Sequence, residues 1–292
     1  MNPLDLVKLT SLMERASGGS DVKIGLIDGP VVTGHPDLAG GHLSEVPGGH
    51  GATCTQTEST ACVHGTFIAG ILCAKRNSSA PAICPDCTLL IRPIFSEQSA
   101  GREQMPSATP QELAVALIDC IDAGARIINL SLALAQPSTK GEHALEEALD
   151  HSLRRGVILA AAAGNQGTLG SSALTRHPWV IPVVACDLLG RPIAASNLGS
   201  SIGRRGLSAP GDEITSLGAE GELLTLGGTS VAVPFVTGAI ALLWSEFPSA
   251  SAAEIKLAVV QASTPRRAAV VPPLLDAEAA YSILSRANAT GE

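Results

Sequence analysis

Short apolar runs with the length of strands alternate along this chain with stretches of helical period, and that alternation limits the fold more than any other feature. Residues 22–27, 89–95, 126–132, 157–163 and 180–185 are short, apolar and rich in Val, Ile, Leu and Ala. Between and after them, residues 4–16, 64–74, 111–123, 142–155, 229–246 and 252–261 carry helical spacing. Pro110 opens one helix and Gly156 closes another, as first-turn prolines and post-helix glycines do. Strands alternating with helices imply an α/β chain with a mostly parallel sheet covered by helices on both faces. No repeat and no low-complexity tract interrupts the pattern. The 292 residues read as one domain over 1–292, with an N-terminal helical extension (1–20) and a C-terminal tail with a short helix (262–292).

Composition narrows the partners. Only 16% of residues are charged and the net charge is −8 without Lys/Arg runs, so neither nucleic acid nor an anionic membrane is an expected partner. No window reaches the ~18 uninterrupted apolar residues of a membrane span. Residues 1–20 lack the basic start, apolar run and small-residue cleavage site of a secretory signal, so a cytoplasmic protein is expected.

Four local sequences carry chemistry. Ile24-Gly25-Leu26-Ile27-Asp28-Gly29 sets a carboxylate at the C-terminal end of a strand, where functional groups gather in open parallel sheets. His64-Gly65-Thr66 sets an imidazole at the start of a small-residue helix. Ala161-Ala162-Ala163-Gly164-Asn165 ends a strand in a turn bearing an amide. Gly227-Gly228-Thr229-Ser230 places a hydroxyl at the start of a long apolar helix, with Pro234 read as lying in its first turn. Taken singly, each has an ordinary structural explanation: a strand-end Asp, a helix-capping His or Ser, a turn Asn.

In the order Asp, His, Asn, Ser, these sequences resemble the subtilase family across residues 21–284. The resemblance implies a subtilisin-like three-layer fold and a serine endopeptidase. In that reading Ser230 is the nucleophile, His64 the general base and acid, and Asp28 the group that orients and stabilises the imidazole. Asn165 would donate to the oxyanion. The segment Leu130, Ser131, Leu132 and Ala133 would line the cleft and pair with an extended peptide or protein substrate. Ala162, Ala163 and Gly164 would form the facing wall, small and without a carboxylate that would demand Lys or Arg.

Four positions depart from the family pattern: Gly29-Pro30 after Asp28, Phe67 in place of a second histidine, Val231 in place of Met, and Ala133 in place of Gly. Asp28-Gly29-Pro30-Val31, His35-Pro36 and Arg92-Pro93-Ile94-Phe95 resemble the branch that matures ribosomal peptides of the cyanobactin type. Cleavage of a precursor peptide is therefore the expected function. The alternatives are a general degradative subtilase of the cytoplasm and a peptide-binding protein that does not cleave.

Seven cysteines cannot all pair with one another. Cys120 and Cys186 lie in apolar stretches and read as buried free thiols. In the fold that the resemblance implies, Cys54, Cys62, Cys84 and Cys87 would come close together. Two disulfides, one structural zinc, or free thiols are the open alternatives. No cofactor is expected. The loop 75–82 offers Asn77, Ser78 and Ser79 but no carboxylate, so no calcium is expected there; a structural calcium or zinc elsewhere stays open.

Overall fold

The computed structural model describes residues 2–49, 51–97, 108–132, 142–262 and 269–290. Two short helices, α1 (Pro3–Leu6) and α2 (Leu9–Arg15), precede β1 (Lys23–Asp28), β2 (His42–Glu45), α3 (Thr60–Cys73) and β3 (Thr88–Pro93). Then come α4 (Pro110–Asp122), β4 (Ile127–Leu130), α5 (Glu142–Arg155), β5 (Ile158–Ala162), α6 (Ala173–Arg176) and β6 (Val180–Cys186). The last part holds α7 (Ser200–Arg205), β7 (Leu207–Pro210), β8 (Ile214–Leu217), β9 (Leu223–Leu226), α8 (Thr229–Glu246), α9 (Ala252–Gln261) and α10 (Ala277–Thr290).

Seven strands form one sheet in the order β2-β3-β1-β4-β5-β6-β7, and every pairing is parallel. β8 and β9 form a separate antiparallel hairpin. The central strands are buried on both faces, so they read as continuous apolar runs. In β1, Ile24 and Leu26 join the core built on α3 and α8, whereas Ile27 joins the core under α4 and α5. Helices therefore cover both faces, as the alternation predicts.

β1 lies between β3 and β4, so the strand order turns back at its carboxyl end. Crevices open at such points in parallel sheets, and Asp28 sits there. α8 is the one helix among the described residues long and apolar enough to cross a membrane, but it is the buried central helix of the fold.

Several elements differ from expectation. The N-terminal helix is two pieces, because Lys8 adopts a left-handed conformation (φ 58°). α3 begins at Thr60, so His64 lies in its second turn and not at its start. Pro234 is the sixth residue of α8, beyond the first turn. β2, β7 and the β8–β9 hairpin lie in stretches that read as loop, being four residues long and, in β2, mostly exposed.

Candidate active site

Asp28, His64 and Ser230 meet in one line. Asp28 is fully buried at the end of β1, and its Oδ1 lies 2.7 Å from His64 Nδ1. The same oxygen accepts from the Gly29 backbone N–H at 2.6 Å, while Oδ2 has no hydrogen-bond partner among the described residues. His64 Nε2 lies 3.1 Å from Ser230 Oγ. This geometry needs Nδ1 to carry the imidazole proton, leaving Nε2 free to accept from the hydroxyl.

Two glycines set the distance between the carboxylate and the imidazole. A Cβ on Gly29 would fall 1.9 Å from the Ala61 carbonyl oxygen, and one on Gly65 would fall 2.5 Å from the carbonyl oxygens of Gly29 and Pro30. The first turns of α3 thus lie backbone against backbone on the chain leaving β1. This close approach leaves no room for a side chain at Gly29. Phe67, where the family carries a second histidine, is fully buried in the core.

Ser230 is the second residue of α8, where backbone N–H groups have no intrahelical partner and the helix dipole favours negative charge. Its carbonyl is a special case. Pro234, four residues on, has no N–H to give it. Ser131 Oγ donates to the Ser230 carbonyl instead, at 2.9 Å. Asn129 Nδ2 donates to Ser131 Oγ at 2.7 Å, and Thr237 Oγ1 donates to Asn129 Oδ1 at 2.9 Å. All three side chains are buried, so the chain of bonds ties β4 to α8 in a place of low dielectric.

Asn165 is fixed by its oxygen. Oδ1 accepts from the N–H of Thr229 at 2.9 Å and from its hydroxyl at 3.0 Å. Thr229 Oγ1 in turn accepts from the Gly164 N–H at 3.2 Å. The amide Nδ2 donates to no group among the described residues. A Cβ on Gly228 (φ 130°) would come within 3.0 Å of that nitrogen, so only glycine leaves the space open. Asn197 braces the same loop: it donates to the Ala163 carbonyl and to Gln166 Oε1, and accepts from the N–H groups of Gln166 and Thr168. Thr229 and Asn129 stand within motifs that the sequence marks, but their bonds to Asn165 and Ser131 are not legible there, and Thr237 carries no signal of its own. Asn197 stands alone and gives no local signal.

The expected cleft walls are placed unevenly. Leu130 and Leu132 turn their side chains into the core under α4 and α5, and the Ser131 hydroxyl is spent on the Ser230 carbonyl. What these residues offer is backbone: Ser131 and Leu132 make no backbone–backbone hydrogen bond to another described residue. Ala133 lies outside the described residues. Opposite, Ala162 ends β5, Ala163 donates to the Val183 carbonyl, and Gly164 (φ 106°) leaves room for Asn197. A cavity of about 410 Å³ between α4 and α5 holds none of these groups.

Asp28, His64 and Ser230 are thus joined in the bond pattern of a Ser-His-Asp triad, and the family model for the subtilases matches residues 19–281. The chain belongs to the subtilase family. This subtilase is therefore a serine protease, a hydrolase. It is 29% identical to Subtilisin DY of Bacillus licheniformis over 87% of each chain, and it spans 62% of the length of several other subtilisins it matches. It superposes on a point mutant of the protease domain of PatA with a TM-score of 0.84 (30% identity, covering 92% of this chain and 97% of that one). The prenylagaramide maturation protease PagA gives 0.83 (27% identity, covering 94% and 98%). Both likenesses agree with the cyanobactin-type branch expected from Asp28-Gly29-Pro30-Val31.

The cysteines of this subtilase correct the sequence reading. Cys54 and Cys62 form a disulfide, but Cys84 and Cys87 do not join them. They meet Cys73 at the other end of α3, eleven helical residues or about 16 Å from Cys62, so four thiolates cannot share one zinc. Hydrogen bonds from Cys73 and Cys87, with burial, push the Cys84 thiol up. Cys120 and Cys186 are buried free thiols, and burial pushes each up to about 12. In the loop 75–82, Arg76 donates to the carbonyls of Met13, Ala16 and Ile83, holding α2 with a side-chain cation.

Proposed function

We propose that this serine protease cleaves a precursor peptide held in extended form, using Asp28, His64 and Ser230 as its catalytic triad. The observation that carries the triad is the unbroken line from Asp28 Oδ1 through His64 to Ser230 Oγ. Ser230 Oγ attacks the scissile carbonyl as its proton passes to His64 Nε2. Asp28 keeps the Nδ1 proton in place and stabilises the imidazolium. The oxyanion lies between the Ser230 N–H and Asn165 Nδ2, donors held before the charge forms. His64 then protonates the leaving amine, and a water molecule repeats the sequence on the acyl-enzyme.

The backbone of Ser131 and Leu132, which pairs with no other backbone group among the described residues, supports binding of the substrate as an added strand. Likeness to the PatA protease domain and to PagA supports maturation of a ribosomal precursor as the task. The small side chains of Ala162 and Ala163 and the bare Gly164 favour a second reading, broad digestion of unfolded protein.

The experiment is covalent labelling by a fluorophosphonate, with wild type beside Ser230→Ala, followed by digestion of cyanobactin-type precursor peptides and of casein. Labelling lost in the variant and cleavage confined to precursors are expected. Rapid degradation of casein would replace the maturation reading with the digestive one.

A further inference from the structure

The disulfide joins the two arms that carry the imidazole and its carboxylate. Cys62 is the third residue of α3, two before His64. Cys54 donates its N–H to the Val31 carbonyl at 2.9 Å, and Val31 lies three residues beyond Asp28. The sulfur bond therefore closes a ring that runs from Asp28 to Val31, across to Cys54, through the disulfide to Cys62 and on to His64.

α3 has no polar side-chain cap at the end that carries Cys62. Its N-cap Ser59 makes no side-chain cap bond, the hydroxyl is buried with no partner among the described residues, and its first turn has no acidic residue. α4 and α9, in contrast, begin with complete capping boxes. The loop between the cysteines has its own anchor. The Glu97 carboxylate accepts from the N–H groups of Thr55 (2.6 Å) and Gln56 (3.1 Å) and from the Thr55 hydroxyl. That clasp holds the residues after Cys54 by bonds that do not involve sulfur.

We propose that the Cys54–Cys62 disulfide is a positioning element for the Asp28–His64 pair, so that turnover follows the redox state of this bond. The inference rests on the triad proposed above. Cys54 is half-buried and Cys62 buried, so an external thiolate reaches the Cys54 sulfur. Attack forms a mixed disulfide and expels Cys62 as thiolate, which takes a proton. The second thiol of a dithiol reductant then closes on the first, releasing Cys54 as thiol. Two electrons and two protons pass from reductant to protein; an external disulfide reverses the exchange. In a reducing compartment the enzyme would rest in the open, slow form.

The test uses the full chain. The other five cysteines are already thiols, so dithiothreitol acts on this pair alone. Mass spectrometry of alkylated peptides reports the state of Cys54 and Cys62, while fluorophosphonate labelling of Ser230 and peptide turnover report function. Reduction should slow labelling and kcat about ten- to a hundredfold, the scale of an ångström misplacement. KM and the far-ultraviolet circular dichroism should stay unchanged, and oxidised glutathione should restore the rate. A Cys54→Ser variant should be slow in both conditions. Equal labelling with both cysteines verified as reduced overturns this inference alone. Loss of the dichroism in step with activity overturns it too, since the bond would then be a general staple. Oxidised protein that does not label at all removes the triad reading and this inference with it.

Discussion

Ser131 Oγ donates to the carbonyl oxygen of Ser230 at 2.9 Å, filling the place that the missing N–H of Pro234 leaves empty. The hydroxyl is itself held by Asn129 Nδ2. Ser131→Ala should leave a buried carbonyl and a buried amide N–H unpaired and cost about 1–3 kcal/mol in urea unfolding. Pro234→Ala restores a helical N–H to that carbonyl. The double variant should therefore recover part of the loss, giving a favourable coupling in the double-mutant cycle. Strict additivity would show that the two residues do not share the Ser230 carbonyl.

Thr229 occupies the Asn165 side-chain oxygen twice, which leaves the amide nitrogen as the group with a proton to give. Asn165→Ala should lower kcat about 10²–10³-fold with little change in KM, a magnitude carried over from an amide donor in subtilisin. Thr229→Val keeps the backbone bond and loses the hydroxyl, so a smaller drop in kcat is expected, with Thr229→Ser close to wild type. Steady-state kinetics on a chromogenic peptide separates these cases, and a change confined to KM would argue against an oxyanion role.

The contact between α3 and the chain after β1 predicts that Gly65 cannot be replaced. A methyl group there meets two backbone carbonyls at 2.5 Å, and neither carbonyl is at the flexible end of a side chain. Gly65→Ala should destabilise by about 1–3 kcal/mol and slow fluorophosphonate labelling, because the shift moves His64 off Asp28. Gly34, with open space where its Cβ would be, is the control and should tolerate Ala within about 0.5 kcal/mol.

The chemistry of this site was legible in the sequence because each group stands beside residues that its geometry demands. Gly29 and Gly65 flank Asp28 and His64 where two backbones touch, and Gly228 precedes Ser230 where Asn165 needs room. The parallel sheet was legible because strands buried on both faces are continuously apolar. β2 was not, since His42, Ser44 and Glu45 are exposed at the sheet edge and carry no apolar run. The start of α3 was hidden for a related reason: Ser59, Thr60 and Ala61 look like loop when no capping box marks the turn. Cysteine pairing depends on which ends of α3 the loops return to. The fold implied by the family resemblance grouped Cys84 and Cys87 with Cys54 and Cys62, which are the wrong partners. The roles of Ser131 and Pro234 emerge only when helix position is known to the residue.

Glu97 links the loop before α3 to the end of the neighbouring β3 segment, and its titration should be visible there. Burial pushes its carboxyl up, but the Thr55 hydroxyl and the N–H groups of Thr55 and Gln56 outweigh this and hold it below the ordinary glutamate value. A carboxyl depressed in the folded state adds stability that is fully present above its unfolded value, about pH 4.3. That contribution fades as pH falls through the lower folded value. The Thr55 and Gln56 amides should therefore stay protected from hydrogen exchange at pH 5 and lose protection only once the pH falls below the ordinary glutamate value, after correction for intrinsic rates. Glu97→Gln, which keeps the shape and removes the charge, should show weak protection at both pH values. A Ser230→Ala background prevents self-cleavage during the measurement. Protection that ignores both pH and the Gln substitution would mean that backbone pairing through Val31, and not Glu97, holds this loop against the helix of His64.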